Sequence, residues 1–476
     1  MRRTKIIATL GPACDSDEIL TAMIQAGVNV LRVNFSHANE TVGNTIARAK
    51  SIAKILDRPL AIMADLQGPK LRIGRFKTGE TTLISGQNFI LDCNEQAELG
   101  DNTRVSVAYT ALYKDIKIDD HILLDDGLLE LKVTAIKARL IHCLVIEGGR
   151  LRDKKGLNRK GGGLSAGALT EKDKQDLITA VNADVDYVSL SFVKNQHDIT
   201  EARQLLKAAG HDAMPIIAKI ERVEALHHLN EIIMSCEGIM VARGDLAVEV
   251  GAQEVPAIQK KLVELTRHHD KIAIVATQMM ESMITQPQPT RAEVSDVANA
   301  ILDGTDAVML SAETASGAYP VKVIQMVDSI CLATEKHARG FFKQNSDACH
   351  YQRPDQAIAL AAMHTANHFP LKAIVALTES GASALWMSRY QSEVPIIAVT
   401  CNIKTYHQLS LVSNIIPVLM DYKGLAILNI NQTVIDFLLT KKLLKLNTQI
   451  LITRGRSIGT AGGTNSLEIY RVGEEA

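Results

Sequence analysis

The sequence predicts an α/β protein: a (β/α)8 TIM barrel, a small β-barrel domain inserted after its third strand, and a second α/β domain at the C-terminal end. Three observations predict this. Short β-branched runs alternate with Ala/Leu-rich stretches of helical period, the pattern of a parallel sheet with helical crossovers. Eight such units fall in roughly 250 residues, the size of a (β/α)8 barrel. The rhythm breaks between Asp65 and Thr170, and a new α/β pattern starts after residue 340.

The expected barrel strands are Lys5–Thr9, Val30–Asn34, Ala61–Asp65, Tyr187–Phe192, Ile216–Glu221, Ile239–Asp245, Ile272–Gln278 and Ala307–Glu313. The interrupting segment has strand signals at Thr81–Leu83, Phe89–Leu91, His121–Leu124, Leu128–Val133 and Ile141–Ile146, with turns at Asp125-Asp126-Gly127 and Glu147-Gly148-Gly149. Its edges, Gly68-Pro69 and Lys160-Gly161-Gly162-Gly163, suit hinges of a lid over the barrel mouth. Thr170 is placed to cap the helix that restarts the barrel. The C-terminal pattern gives a helix at Gln356–His368 and strands at Ala373–Leu377, Ile396–Thr400, Gln449–Thr453 and Ser466–Val472, after a linker around Asn345-Ser346-Asp347 and Tyr351-Gln352-Arg353-Pro354. The domains are therefore 1–68 with 168–340 for the barrel, 69–167 for the lid and 341–476 for the C-terminal α/β domain.

Composition excludes several function classes. Of 476 residues, 46% are hydrophobic and 22% charged, as in an ordinary globular protein. Lys plus Arg (52) balances Asp plus Glu (53), so no global charge points to nucleic acid or an anionic membrane. No apolar run is long enough to span a bilayer. The start, Met1 to Ile7, has two arginines but no long apolar stretch, and no signal peptide is expected. Seven scattered cysteines, odd in number and without a C-x-x-C pair, argue against a disulfide framework or structural zinc and for a reducing, cytoplasmic location.

The chemistry is expected at the C-terminal strand ends. Lys219 and Glu221 are two apart at the end of an otherwise apolar run, so period-2 alternation aims a cation and a carboxylate together. Arg32, Asn34 and Ser36 share a face by the same rule, while Val33 and Phe35 pack away; a polar strand end facing water fits that segment too. Asp65 with Lys70 and Arg72 adds carboxylate and cations suited to phosphate. Gly244 permits close backbone approach at a helix start, and Asp245 is a hard oxygen ligand. Asp245 and Glu221 together suit Mg2+ or Mn2+, with a buried Arg–Asp pair as the plainer reading of Asp245. Thr277 suits either a bound water or substrate, or a helix cap. In the C-terminal domain, Thr378, Ser380, Gly381 and Ser383 lie between a strand and a helix and suit either a phosphate or simple capping.

Taken in order, these segments closely resemble the pyruvate kinase family. The matching stretches are Thr9-Leu10-Gly11-Pro12, Arg32 to His37, Asp65 to Arg72, Ala218 to Glu221, Ala242 to Leu246, Thr277 to Met283, Pro289 to Glu293 and Asp303 to Thr314. They span essentially the whole chain. The resemblance implies phosphoryl transfer from phosphoenolpyruvate to ADP, giving ATP and pyruvate, by a homotetramer with a mobile lid. It implies that Glu221 and Asp245 bind Mg2+ or Mn2+, that Lys219 stabilises the phosphoryl group and enolate, and that Arg32 holds the phosphoryl. Gly244, Asp245 and Thr277 would meet the substrate, and Asn34, Phe35, Ser36, His37, Arg72 and Lys155 the nucleotide. The Thr378–Ser383 loop, with Arg454-Gly455 and Gly459 to Asn465, would take a phosphorylated effector, AMP or a sugar phosphate by family tendency.

One departure stands out. Many family members read Asp-Thr-Lys-Gly-Pro-Glu where this chain has Asp65-Leu66-Gln67-Gly68-Pro69-Lys70. In that form Thr and Asp join Asn and Ser around K+. Here Leu66 removes an oxygen and Lys70 supplies a tethered ammonium near Asn34, Ser36 and Asp65, so K+ is expected to be dispensable. The competing reading of the whole chain is a Mg2+-dependent barrel lyase or aldolase working through a pyruvate enolate. A metabolite sensor on a dead barrel is disfavoured by the intact Arg32, Lys219, Glu221 and Asp245.

Overall fold

Eight parallel strands close into a barrel: β1 Lys5–Thr9, β2 Val30–Asn34, β3 Ala61–Asp65, β4 Tyr187–Leu190, β5 Ile216–Ile220, β6 Gly238–Ala242, β7 Ile272–Ala276 and β8 Ala307–Leu310, in the order β1-β8-β7-β6-β5-β4-β3-β2. The computed structural model describes residues 1–36, 42–69, 71–94, 98–337, 353–390, 392–424, 429–455 and 462–474. Runs such as Ile272-Ala273-Ile274-Val275-Ala276 are apolar at every position because both strand faces are covered, as parallel sheets require.

The first three strands have the expected bounds. The later ones stop earlier, because each ladder ends where the backbone turns away. Phe192 takes φ +57°, Thr277 φ +69° and Gln278 φ +53°, while helices start at Arg243 and Ala312. Glu221 and Asp245 therefore lie just beyond their strands rather than within them.

The contacts divide the chain into two compact units. The unit of Asp65–Val181 and Val188–Leu262 holds β4, β5, β6 and the inserted domain. That insert is a curled half-barrel of six strands ordered Leu157–Arg159, His121–Leu124, Leu129–Lys137, Leu140–Glu147, Asn88–Asp92 and Arg104–Ser106, with a two-stranded ribbon of Glu80–Leu83 and Gly149–Arg152. Its own core includes Phe89, Leu91, Ile122, Leu131, Val133 and Ile141, all fully buried. The helix Glu171–Asn182 follows. Thr170 Oγ1 accepts the Asp173 amide at 3.1 Å, as the expected cap should.

The other unit, Met1–Ala64 with Asn182–Tyr187 and Val263–Ala476, holds β1, β2, β7, β8 and the C-terminal sheet. That sheet runs Ile415–Leu419, Ile396–Thr400, Ala373–Leu377, Gln449–Gly455 and Thr464–Arg471, the last strand antiparallel. Ile415–Leu419 contains Pro417 and occupies an edge, where a missing amide is tolerated; the proline hid it in the sequence. The helix Pro354–His368 starts with proline at its first position. The linker residues Asn345, Ser346, Asp347, Tyr351 and Gln352 lie outside the described residues. A buried pair fastens the C-terminal domain to the base of β8: Arg389 Nη1 donates to Asp306 Oδ2 at 2.9 Å, and Asp306 Oδ1 accepts the Ser413 amide at 3.0 Å.

Candidate active site

At the end of β5 the Lys219 ammonium lies 3.0 Å from Glu221 Oε1 and 3.4 Å from Asp65 Oδ1. It also donates to Ser191 Oγ at 2.7 Å. Glu221 and Asp65 are each 1% exposed, so both carboxylates are shielded from water. The second Glu221 oxygen accepts the Phe192 amide at 2.7 Å. Asp65 accepts from Ser189 Oγ at 2.7 Å. Burial pushes the Glu221 carboxyl up from its ordinary value; the Lys219 cation opposes that, and the Asp245 charge adds to it.

Gly244 and Asp245 occupy the first turn of the helix Arg243–Val250, which begins directly after β6. Ala242 at its cap offers no side-chain acceptor, so the positive end of the helix faces the β6 strand end. Four residues on, Glu249 is buried and accepts the Val223 amide at 2.9 Å; burial lifts its carboxyl to about 7. Each Glu221 oxygen carries a single described donor, and a carboxylate oxygen has a further lone pair to give. Two hard carboxylates of like charge, Glu221 and Asp245, fit a divalent cation that keeps places for substrate oxygens and water. Among the described residues no group of three or more His, Cys, Asp or Glu is arranged to hold a metal.

In the other unit, Arg32 lies near the end of β2, half-buried, and donates to Thr9 Oγ1 at 3.0 Å. Thr9 Oγ1 in turn donates to Leu310 O at 2.8 Å, tying the guanidinium to β1 and β8. Asn34 Oδ1 accepts the Ser36 amide at 3.1 Å and turns the chain out of β2. Phe35 is fully buried, in keeping with its expected packing role. His37 lies outside the described residues. Arg32 and Asn34 line a cleft of ≈ 840 Å³ together with Thr9 to Pro12, Cys14, Thr45, Ser311, Ala312, Ala315 and Ser316. Nothing in the sequence pattern singles out Thr45 and Ser316.

Thr277 follows β7 with a left-handed backbone, φ +69°, costly for a β-branched residue. Its hydroxyl donates to Ala276 O at 2.6 Å and does not cap a helix. The segment is held from the helical turn that follows β8: Glu313, 2% exposed, accepts the Met280 amide at 3.2 Å and the Ser311 amide at 2.6 Å.

On the insert, Arg72 pairs with Gly156 in an isolated antiparallel bridge, which brings Arg72 beside Lys155. Arg72 Nη1 donates to Lys154 O at 2.8 Å, and Lys155 pairs with Asp125 at 2.7 Å. The hinge glycines all take left-handed angles, from φ +66° at Gly68 to φ +90° at Gly163. Lys70 lies outside the described residues. In the C-terminal domain Thr378 Oγ1 accepts the Gly381 amide at 2.9 Å, Ser383 is buried and Ser380 is exposed. The Arg454–Gly455 pair ends its strand, while Gly459, Thr460 and Ala461 lie outside the described residues.

Phosphoryl transfer asks a protein for positioned cations and metal-binding carboxylates more than for covalent help. The class defined here is a phosphotransferase built on a (β/α)8 barrel. The chain belongs to the pyruvate kinase family. The family pattern described as "Pyruvate kinase, barrel domain" matches residues 1–324, and "Pyruvate kinase, alpha/beta domain" matches residues 356–470. The chain is 46% identical over 477 residues to a "Pyruvate kinase" of Buchnera aphidicola subsp. Schizaphis graminum, covering 99% of each chain. It is 43% identical over 477 residues to "Pyruvate kinase II" of Salmonella typhimurium, again covering 99% of each. It acts as a pyruvate kinase, and this family typically depends on Mg2+. Among the described residues no helix is long and apolar enough to cross a membrane.

Proposed function

We propose that Lys219 is the catalytic cation of phosphoryl transfer from phosphoenolpyruvate to ADP. The observation that supports this most is its partly buried ammonium, set between the buried carboxylates of Glu221 and Asp65 at a barrel strand end. The phosphoryl group leaves the enol oxygen and joins a β-phosphate oxygen of ADP. The remaining enolate takes a proton at its methylene carbon to become pyruvate. Lys219 meets the negative charge that gathers on the phosphoryl and enolate oxygens. Arg32 holds the phosphoryl in a planar fork. The first turn carrying Gly244 receives the substrate carboxylate, with Thr277 beside it.

Glu221 and Asp245 would hold Mg2+ or Mn2+, which neutralises phosphoryl charge when bound. Arg72 and Lys155, side by side on the insert, contact the nucleotide with Asn34, Phe35, Ser36 and His37. Residues 69–167 act as a lid whose closure excludes water and suppresses hydrolysis. A Thr hydroxyl is too weak an acid to supply the enolate proton alone, so a water chain ending at Thr277 delivers it.

Lys70 takes the place of K+, and turnover proceeds without it. The Thr378, Ser380, Gly381 and Ser383 loop receives a phosphorylated effector, AMP or a sugar phosphate. The working form is a cytoplasmic homotetramer, consistent with six described cysteines that are all free thiols. The test is pyruvate and ATP formation from phosphoenolpyruvate and ADP with Mg2+, followed through lactate dehydrogenase. Matched ATP and pyruvate are expected. Pyruvate without ATP, or retro-aldol cleavage in its place, would point to the barrel lyase instead.

A further inference from the structure

Ser191 stands where three things meet, and none of the roles above uses it. It follows β4 and is 2% exposed, so water does not compete for its hydroxyl. Its one proton goes to Leu66 O at 2.7 Å, because a carbonyl only accepts. Its lone pair is thereby turned to the Lys219 ammonium, also at 2.7 Å. Glu221 and Asp65 already balance the ammonium. A third carboxylate would quench its pull on a phosphoryl oxygen, whereas a hydroxyl fixes its direction and adds no charge.

The other partner of Ser191 leads to the hinge. Leu66 begins the chain into the inserted domain, and two residues on the Gly68 amide donates to Asp173 Oδ1 at 3.0 Å. Asp173 Oδ2 accepts both the amide and the hydroxyl of Thr170, where the chain returns from the insert. One buried carboxylate thus joins both ends of the insertion. Gly68 is pressed on the same spot: a Cβ there would lie 2.9 Å from Ser191 Cβ and 2.9 Å from the Phe192 ring.

We propose that Ser191 is a positioning residue that aims the Lys219 ammonium, its hydroxyl being set in turn by the Leu66 carbonyl at the hinge of the inserted domain. This rests on the reading of Lys219 as the catalytic cation. A Lys219→Met enzyme that stays active removes that reading. An inactive Lys219→Met with wild-type Ser191 variants removes only the present one.

The experiment uses the full-length chain with Ser191→Ala and Ser191→Cys. The thiol fills the same space but is a weak acceptor. Turnover and KM for both substrates are measured, together with calorimetric binding of oxalate, a planar dianion shaped like the enolate, in the presence of Mg2+. Both variants are expected to lose about 10- to 100-fold in kcat, as partners that orient a functional group commonly do. Oxalate affinity should fall about 10-fold, with KM for ADP unchanged. If Ser191→Ala fails to give a cooperative melt, Ser191→Cys decides. A kcat within about twofold of wild type in the folded variant, or an equal loss of oxalate and ADP affinity, overturns the proposal.

Discussion

Phe192 donates its amide to Glu221 Oε2 across 2.7 Å from a backbone held at φ +57°. A bulky residue in that region costs about 1–3 kcal/mol and persists only where its surroundings hold it. Here the ring is 7% exposed, with the Arg222 guanidinium 5.4 Å from its centroid. The strain is spent on aiming one amide, and that amide leaves the other Glu221 oxygen turned towards Lys219.

Glu221→Gln keeps the size of the side chain and an acceptor for Phe192 but removes the charge. Half-maximal activation by Mg2+ should then require at least about 10-fold more metal, and Mn2+ binding followed by paramagnetic resonance should weaken in parallel. An unchanged Mg2+ titration would remove Glu221 from the metal site.

The reading of Thr277 separates the two halves of the reaction. Thr277→Val should slow protonation of the enolate by about 10-fold or more while phosphoryl transfer slows less. Thr277→Ser, which keeps the hydroxyl and removes the branch that φ +69° disfavours, should restore the proton step. Rapid-quench measurement of ATP against pyruvate resolves the two steps; equal slowing of both contradicts the assignment.

Replacement of K+ by Lys70 is checked in tetramethylammonium or Tris salts at fixed ionic strength. Full turnover is expected without K+, and strong activation by K+ alone contradicts the reading. Lys70→Glu should lower activity and bring in a response to K+, weakened because Leu66 supplies no oxygen.

How much of this was legible in the sequence follows from what each signal depends on. Strands β1 to β3 were bounded to the residue because apolar runs end there in polar residues. The early ends of β6 and β7 were hidden: nothing in Ala276-Thr277-Gln278 announces two successive left-handed residues, which tertiary contacts impose. Lys219 and Glu221 were paired by alternation alone. Ser191 and Asp173, which join that pair to the inserted domain, sit far from it in sequence and carry no motif.

Lys5 gives a pH test of the fold. It is buried, donates to Ile415 O at 2.6 Å, and burial holds its pKa down to about 7. The unfolded chain keeps that proton to about pH 10. The cost of burying Lys5 is therefore full below pH 7 and fades as pH rises through this window. Lys5→Met avoids the buried charge but loses the bond to Ile415. Its melting temperature relative to the parent should fall between pH 6 and pH 9.5, and a constant difference contradicts the depressed pKa.

The central claim rests on Lys219, and Lys219→Met tests it most directly. The variant should unfold cooperatively and keep the parent's near-ultraviolet dichroism with Mg2+ present. Its turnover of phosphoenolpyruvate with ADP should fall by about 10³-fold, the scale for removing a preorganised charge from a transition state. A folded Lys219→Met enzyme retaining more than about a tenth of the parent's kcat would contradict the account.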